Sequence, residues 1–369
     1  MKPVEHVTFL SPGPHLSRRR FLRTGAEVIA GSAFALSAGA LLDACSSSKG
    51  SSASSGAATT IPSLGAIAFQ LDWITNIQFG GSYVAQSMGY YTDEGVTVSI
   101  VTGGPSITVI PIVQSGRADI GIVDPPTTAA ANANGAGLVI IGTTYQKSPN
   151  CIISLASDPI TTPQELVGKK VGIGVTSVPT MQAFMKANNL DYSSMTVVPI
   201  QFDPTPLAEG EVQGYFGFIS NEAVTLQLEG HPVHSMLLAD FGLASFSECY
   251  GVTKASLQDT TQRAKIKAFL EGEIRGWQDV VANPQPAVNL TIEKYGKALS
   301  LDPKQQLLEA QAQNGLIVNA DTKAHGLFWM TDEAIAANLK TLSLAGTPAT
   351  ASMFDNSLLE EIYNGKTHL

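Results

Sequence analysis

Acidic and aromatic side chains follow an apolar segment near the start of the folded part of the chain. Asp72, Trp73 and Asn76 come directly after residues 67–71, and Gly80 and Gly81 then open a helical pattern. A strand that leads through a polar loop into a helix is how α/β proteins present a ligand site. A carboxylate accepts hydrogen bonds from N–H groups, and an indole stacks on flat rings. The segment predicts a ligand site; the alternative is a core tryptophan beside a turn-capping aspartate.

Other polar residues and glycines also follow predicted strands, and we expect their loops to complete the same site. The candidates are Asp72, Trp73, Asn76, Phe79, Gly103, Gly104, Ser106 and Asp124 from the first half, and Thr176, Ser177, Thr180, Asp203, Asn221 and Glu222 from the second half. For each single residue, the alternative is turn or helix-cap chemistry. These loops contain no Lys or Arg, so they predict a neutral or weakly basic heterocycle as the ligand. An anion would depend on the N–H groups at helix starts.

Residues 70–91, QLDWITNIQFGGSYVAQSMGYY, resemble the substrate-binding proteins of ABC importers in the thiamine-precursor and sulfonate/nitrate/taurine group. The pyrimidine-precursor branch of that group typically reads DWxPNxxHxGxYVAxxxGYF. The positions shared with this pattern are Asp72, Trp73, Asn76, Gly81, Tyr83, Val84, Ala85, Gly89 and Tyr90. Thr75 replaces the proline, and Phe79 replaces a histidine that belongs to the pocket of that branch. The resemblance therefore implies the fold and leaves the ligand open.

Two further stretches carry the resemblance along the chain. Residues 103–124 read GGPSITVIPIVQSGRADIGIVD, and residues 276–288 match the loose pattern GWxxxxANPxxAV. Short apolar strands alternate with helices from about residue 64, which by itself predicts an α/β protein with mostly parallel sheets. The resemblance implies a two-lobed periplasmic-binding-protein fold of type II. Each lobe would hold a mostly parallel sheet with helices on both faces, and the C-terminal part would be helical.

The N-terminal residues predict export and a lipid anchor. Residues 17–23, SRRRFLR, match the twin-arginine pattern SRRxFLK, and a short apolar run follows over 28–42. It ends at LDAC, which resembles a lipobox, so residues 1–45 predict a lipoprotein signal with lipid on Cys45. Asp43 is unusual there, and a plain cleaved signal is the alternative. Residues 46–60 are rich in Ser, Gly and Ala and predict a flexible tether.

The resemblance also implies the division of the folded part into lobes. We expect residues 61–152 and 249–369 to form lobe I and residues 153–248 to form lobe II. Cys151 and Cys249 then fall on the two crossings, which run side by side in this fold, so a disulfide between them is one expectation. Two buried free thiols are the alternative.

Charge and motifs exclude several classes of function. The chain carries 22 basic and 31 acidic residues; without residues 1–45, 17 and 28 remain. Such an acidic chain without basic clusters argues against nucleic-acid binding. The fungal hydroxymethylpyrimidine synthases share the expected fold but carry a CCCFC segment and a first-loop histidine, which this chain lacks. No GxSxG, P-loop or metal-ligand spacing appears.

The resemblance therefore implies a binding protein and not an enzyme. It would deliver a small molecule, a pyrimidine-type vitamin precursor or alternatively a sulfonate, taurine or nitrate, to the permease and ATPase of an ABC importer. We expect a monomer without cofactor or metal. It would be exported by the twin-arginine translocase and held at the outer face of the cell membrane by the lipid on Cys45.

Overall fold

The computed structural model describes residues 62–104, 106–201 and 203–369. The predicted export signal, the lipidation site and the tether up to residue 60 lie outside these ranges. The strands are β1 (Gly65–Gln70), β2 (Val96–Val101), β3 (Ile120–Val123), β4 (Leu138–Tyr145), β5 (Asn150–Leu155), β6 (Lys170–Gly174), β7 (Thr196–Ile200), β8 (Gly214–Phe218), β9 (Val233–Leu237) and β10 (Ser247–Thr253).

Helices alternate with these strands and then dominate the C-terminal part. They are α1 (Gly80–Met88), α2 (Tyr90–Asp93), α3 (Val109–Gln114), α4 (Pro125–Ala133), α5 (Val178–Ala187), α6 (Thr205–Ala208), α7 (Glu222–Leu228), α8 (Lys254–Gln258), α9 (Thr260–Ala282), α10 (Gln285–Leu290), α11 (Pro303–Ile317), α12 (Ala320–His325), α13 (Asp332–Ala345) and α14 (Ser357–Tyr363). Within the described ranges, no helix combines the length and apolar character that a bilayer crossing requires.

The strands form two five-stranded sheets of the same design. The first has the order β2-β1-β3-β10-β4 and the second β7-β6-β8-β5-β9. Each is mostly parallel, with a single strand inserted antiparallel, β10 in the first sheet and β5 in the second. The mixed α/β fold with mostly parallel sheets confirms the prediction from the strand–helix alternation.

Both faces of each sheet are covered. In β4, Val139 and Ile141 belong to one buried cluster with α1 and α9, whereas Leu138 and Ile140 belong to another with α3 and α13. Alternate residues of a strand point to opposite faces, so the two clusters lie on opposite sides of the sheet. The second sheet likewise divides its buried residues between two clusters.

The chain crosses between the sheets earlier than the sequence suggests. β4 ends at Tyr145 in the first sheet and β5 begins at Asn150 in the second, and the return precedes Ser247. Both crossings are therefore short loops, and the expected boundaries at 152 and 249 fall inside strands. The strands before and after each crossing are both short and apolar in sequence. Only their pairing in the structure shows to which sheet each one belongs.

The predicted disulfide is wrong for the same reason. Cys151 pairs in β5 with Gly217 and Leu237, whereas Cys249 pairs in β10 with Val123 and Thr143. The two thiols are free and fully buried in different sheets. The alternative expectation, of two buried thiols that pack as small apolar groups, is the one the structure supports.

Helices α1 and α9 cross at a point where only glycine fits. A Cβ atom on Gly81 would lie 2.3 Å from Trp277 Cγ, and one on Gly276 would lie 2.2 Å from the Gly81 carbonyl oxygen. Such distances are far below van der Waals contact, so both positions exclude any side chain. Gly81 and Gly276 thus serve the packing of this helix pair.

A buried carboxylate ties the same region together. Glu273 on α9 is fully buried and accepts hydrogen bonds from the hydroxyls of Ser82, Tyr91 and Tyr250. Trp277 donates its indole N–H to the Tyr250 oxygen at 3.2 Å. Four segments therefore meet on one satisfied acid, which fixes the position of β10 against α1 and α9.

We predict that Gly276→Ala destabilises the protein by about 1–3 kcal/mol or more, because the methyl group must separate α1 from α9. The matched control is Gly315→Ala within α11, where a Cβ atom meets nothing within 4 Å. That change should stabilise by roughly 0.5–1 kcal/mol through helix propensity. Urea unfolding of both variants measures the difference, and equal midpoints would contradict the packing described.

Candidate functional site

The parallel strands of the first sheet end along one edge, where the candidate residues of lobe I gather. Asp72 follows β1, Gly103 follows β2 and Asp124 follows β3. Because β10 runs antiparallel to β3 and β4, it begins at this edge and not at the opposite one. Its second residue, Glu248, is thereby placed beside Asp72 and Asp124, and the three carboxyls act on one another electrostatically.

The loop that carries Asp72 and Trp73 rests on the loop after β2. Gly103 donates its N–H to the Trp73 carbonyl at 3.1 Å, and Gly104 donates to the Asp72 carbonyl at 3.2 Å. A Cβ atom on Gly103 would lie 2.4 Å from the Leu71 carbonyl oxygen. The two glycines thus position the Asp72–Trp73 loop. Their N–H groups are engaged by protein, which leaves neither as a donor for an anion.

Each of the three carboxyls keeps one buried oxygen that no donor of the described protein reaches. These oxygens are Asp72 Oδ1, Asp124 Oδ1 and Glu248 Oε2. Burial and the charge of Asp124 raise the pKa of Asp72 to about 8. Burial raises the pKa of Asp124, against the opposing effect of the Ser247 hydroxyl. Burial, with Asp72 and Asp124, raises the pKa of Glu248 well above its ordinary value. We call these three residues the acid cluster.

Glu248 is the site residue that sequence reasoning missed. It lies in β10 with φ of +53°, the left-handed region that residues with a side chain rarely occupy, and it is 3% exposed. Strain of this kind collects at functional sites. The signal in the sequence is a single charged residue in the run FSECYGV, which otherwise holds apolar and small residues. Without the strand order, nothing connects that residue to Asp72 or Asp124.

Asp124 precedes α4, yet its side chain does not cap the helix. The alternative of cap chemistry therefore does not account for this acid. Trp73 is partly buried against the core of lobe I. Gln146, directly after β4, contributes a further buried oxygen without a partner. This edge of the sheet thus offers hydrogen-bond acceptors beside an aromatic ring.

The second sheet presents its own strand ends in the same way. Glu222 and Asn221 follow β8, and both are half-buried. Glu222 accepts the Phe218 N–H at 2.7 Å, and burial raises its pKa to about 7. Asn221 accepts a hydrogen bond at 3.2 Å from Gln305 on α11, which joins the two lobes at this point.

The remaining candidates of lobe II lie in two places, three of them after β6 and one before α6. Thr176, Ser177 and Thr180 lie between the end of β6 and the first turn of α5, at the predicted place. Asp203 is exposed and accepts hydrogen bonds from the N–H and hydroxyl of Thr205, so it forms a local turn before α6. In lobe I, Ser106 is exposed.

Asn76 and Phe79 serve the interior of lobe I. Asn76 is 2% exposed; it accepts the Gln78 N–H and donates to Glu309 at 3.1 Å. Phe79 is 3% exposed and belongs to the core cluster of the lobe. The structure thus gives structural roles to two residues of the first loop that the sequence offered as ligand contacts. The sequence alone does not distinguish a ligand contact from a buried cap at position 76, because the partner that buries Asn76 is Glu309 on the distant helix α11.

The site holds acceptors but no recognisable catalytic pair. The histidines of the described part, His231, His234, His325 and His368, lie away from the strand-end loops named above. Among the described residues, no group of three or more His, Cys, Asp or Glu is arranged to hold a metal ion. The arrangement can bind N–H groups and flat rings.

The raised carboxyl pKa values predict that the ligand-free protein loses stability as the pH rises. The pKa values of Glu273, Glu222 and Asp72, about 6, about 7 and about 8, lie above the ordinary values of 4.5, 4.5 and 3.8. When folding raises the pKa of a carboxyl, that carboxyl contributes its full stabilisation at a pH below its pKa in the unfolded chain. The contribution is lost as the pH rises through its pKa in the folded protein.

We therefore expect the urea midpoint to fall between about pH 5 and about pH 8. Asp72→Asn should flatten the upper part of this curve, because an amide does not titrate. A midpoint that rises over the same range would contradict these buried acids.

Comparisons with known proteins place the chain in a family. The sequence profile described as NMT1/THI5 like matches residues 76–287. The formylaminopyrimidine-binding protein of Halalkalibacterium halodurans is 24% identical over 62% of this chain and 70% of its own length. The riboflavin-binding protein RibY of Chloroflexus aurantiacus is 26% identical over 63% of this chain and 67% of its own.

Enzymes are also among the relatives. The 4-amino-5-hydroxymethyl-2-methylpyrimidine phosphate synthase of Legionella pneumophila is 30% identical over 60% of this chain and 71% of its own length. Among solved structures, the periplasmic aliphatic sulphonate binding protein SsuA of Escherichia coli aligns with a TM-score of 0.54 and 16% identity. That alignment covers 76% of this chain and 86% of the other, and it confirms the periplasmic-binding-protein fold. Since the profile spans more than half of the residues, the chain belongs to the NMT1/THI5-like family.

Proposed function

We propose that the protein is an extracytoplasmic solute-binding protein that delivers a pyrimidine-type vitamin precursor to the permease and ATPase of an ABC importer. The observation that carries the proposal is the acid cluster beside Trp73. It lies at the strand ends of one lobe, and Glu222 lies at the strand ends of the other. Ligands of α/β proteins bind outside the carboxyl ends of the strands.

The chemistry of the site suits an aminopyrimidine. Carboxylate and amide oxygens accept hydrogen bonds from amino and ring N–H groups, and the Trp73 indole can stack on a flat ring. The relatives named for formylaminopyrimidine and riboflavin support this, because both compounds contain a pyrimidine ring. A sulfonate or nitrate would face carboxyls where it needs N–H donors, and Gly103 and Gly104 already use theirs.

Binding without catalysis is the second part of the proposal. Some relatives are synthases, so family membership does not decide the matter. The two cysteines of the described part are buried within the sheets, and Phe79 stands where the resembling branch has a histidine. The relatives named for binding formylaminopyrimidine and riboflavin support a binding role for this site.

We further propose that the lobes close on the ligand by a hinge motion. Two short loops connect the sheets, around residues 146–149 and before residue 247, and a hinge needs only a few such residues. Gln305 on α11 reaches Asn221 at the start of α7, so the two lobes touch near the proposed pocket. In an open state this contact would be broken and the site accessible to solute.

Export and anchoring remain proposals from the sequence. The twin-arginine signal, the lipid on Cys45 and the tether up to residue 60 fall outside the described residues. A lipid anchor followed by a tether would keep the folded part close to the permease while leaving it free to turn. We propose that the mature protein acts there as a monomer.

We predict that aminopyrimidines change the fluorescence of Trp73 and that Glu222→Gln weakens their binding. The loss should be about 1–3 kcal/mol, the range for a buried hydrogen bond to a charged group. Trp73→Phe should abolish the fluorescence change, since Trp277 is buried in the core of lobe I and the third tryptophan, Trp329, stacks on His325 after α12.

Glu229→Gln is the matched control for this experiment. Glu229 is exposed at the opposite end of α7, so the variant loses the same charge and should keep the affinity. Saturation by taurine, alkanesulfonates or nitrate while aminopyrimidines fail to bind would overturn the proposed ligand class.

We also predict that the mature N-terminus is a lipid-modified Cys45. The pattern LDAC places cysteine after a small residue, as a lipoprotein signal does. Mass spectrometry of protein extracted from membranes measures the modification, and Cys45→Ser should release the protein from the membrane. A free N-terminus downstream of residue 45 would contradict the anchor.

A further inference from the structure

The acid cluster gathers three carboxyls that no basic side chain of the described protein neutralises. Asp72, Asp124 and Glu248 come from three separate segments, and the charged groups that act most strongly on them are each other. None of the three forms an ion pair within the described residues. Glu248 is more than nine-tenths buried, and its Oε2 atom lacks any hydrogen-bond partner.

The described groups around the cluster are neutral polar side chains, a thiol and further acids. Tyr145 on β4 is within electrostatic reach of Asp72, Glu248 and Glu309. Gln78 lies beside Glu248 before α1, and Ser247 lies beside Asp124 on β10. Cys249, the next residue of β10, is also buried against Asp124 and Glu248. From α11 and α7, Glu309 and Glu222 face each other across the lobes.

Two other buried acids, Glu273 and Glu309, have several hydrogen-bond donors each and serve the fold. Glu273 accepts hydrogen bonds from three hydroxyls. Glu309 accepts from the amides of Asn76, Gln305 and Gln306. In the acid cluster, by contrast, one buried oxygen of each carboxyl has no hydrogen-bond partner, and burying an unpaired polar atom is costly. Its missing donors are the kind that a ligand can supply.

We propose that the acid cluster is a cation subsite, which binds the ligand through a protonated amino or amidinium group, with Glu248 as a residue that determines specificity. The proposal rests on the proposed function and deepens it, since it selects the positively charged members among pyrimidine-type ligands. A cationic N–H group supplies both the charge and the hydrogen bonds that the three carboxyls lack. A neutral ligand would supply hydrogen bonds alone and leave the carboxyls protonated.

Two ligands of equal shape test the inference. The neutral one is 4-amino-5-hydroxymethyl-2-methylpyrimidine, and the cationic one is its analogue with an aminomethyl group in place of the hydroxymethyl group. Calorimetry near neutral pH on the mature protein measures both affinities. We expect the cationic analogue to bind at least about tenfold more tightly, as a charge-assisted hydrogen bond in a buried site does.

The variant Glu248→Gln tests whether the acid cluster causes the preference for the cationic ligand. This variant should reduce the affinity ratio of the two ligands about tenfold. The same variant should also raise the unfolding midpoint of the ligand-free protein, because a neutral amide replaces an unpartnered buried acid. A merely structural Glu248 would instead lower the midpoint and leave the ratio unchanged. Glu229→Gln, which removes one exposed acid from lobe II, should leave the ratio as in the parent.

The outcomes separate the two proposals. Equal affinities, or tighter binding of the neutral compound, would overturn the cation subsite and leave the pyrimidine-binding function standing. An unchanged ratio in Glu248→Gln would overturn the role of Glu248. Failure of both pyrimidines to bind, with saturation by a sulfonate or nitrate, would overturn the proposed function together with the cation subsite.

Discussion

The antiparallel insertion of β10 between β3 and β4 is the constraint on which the site depends. Parallel strands bring only their carboxyl ends to the ligand-facing edge, so a strand that begins there must run the other way. β10 does so when the chain returns from lobe II. It sets Glu248 beside Asp72 and Asp124 and holds it with a positive φ. The network of Glu273, Tyr250 and Trp277 fixes this strand against α1 and α9.

Buried acids divide into two kinds in this protein, and hydrogen-bond partners separate them. Glu273 and Glu309 are surrounded by donors from several elements, so their burial holds helices and strands together. Asp72, Asp124 and Glu248 keep oxygens without donors. An unsatisfied buried group lowers stability, so unpartnered oxygens at the strand ends are the pattern that the proposed ligand site would leave in the ligand-free protein.

Most residues of the motifs that carry the family resemblance contribute to the packing of the fold. Gly81 and Gly276 allow two helices to touch, Asn76 caps a turn and reaches α11, and Tyr83 stacks on Tyr295 with ring centroids 4.1 Å apart. These contacts are common to the architecture and say little about the ligand. The residues that would choose the ligand lie elsewhere, on loops and on one strand whose pairing is not local.

The alternation of apolar strands and helices was enough to predict an α/β fold, and the resemblance supplied the two lobes, because periodicity and short motifs are local properties of the chain. The same local reasoning made Asp72, Trp73, Asp124 and Glu222 candidates, since each follows an apolar strand. Only the tertiary structure decided that Phe79 belongs to the core, that Asp203 serves a local turn, and that Cys151 and Cys249 lie in different sheets. It alone placed Glu248 in the site. The physical reason is that strand order and the return of β10 join residues more than a hundred positions apart, and no local pattern encodes which strands will pair.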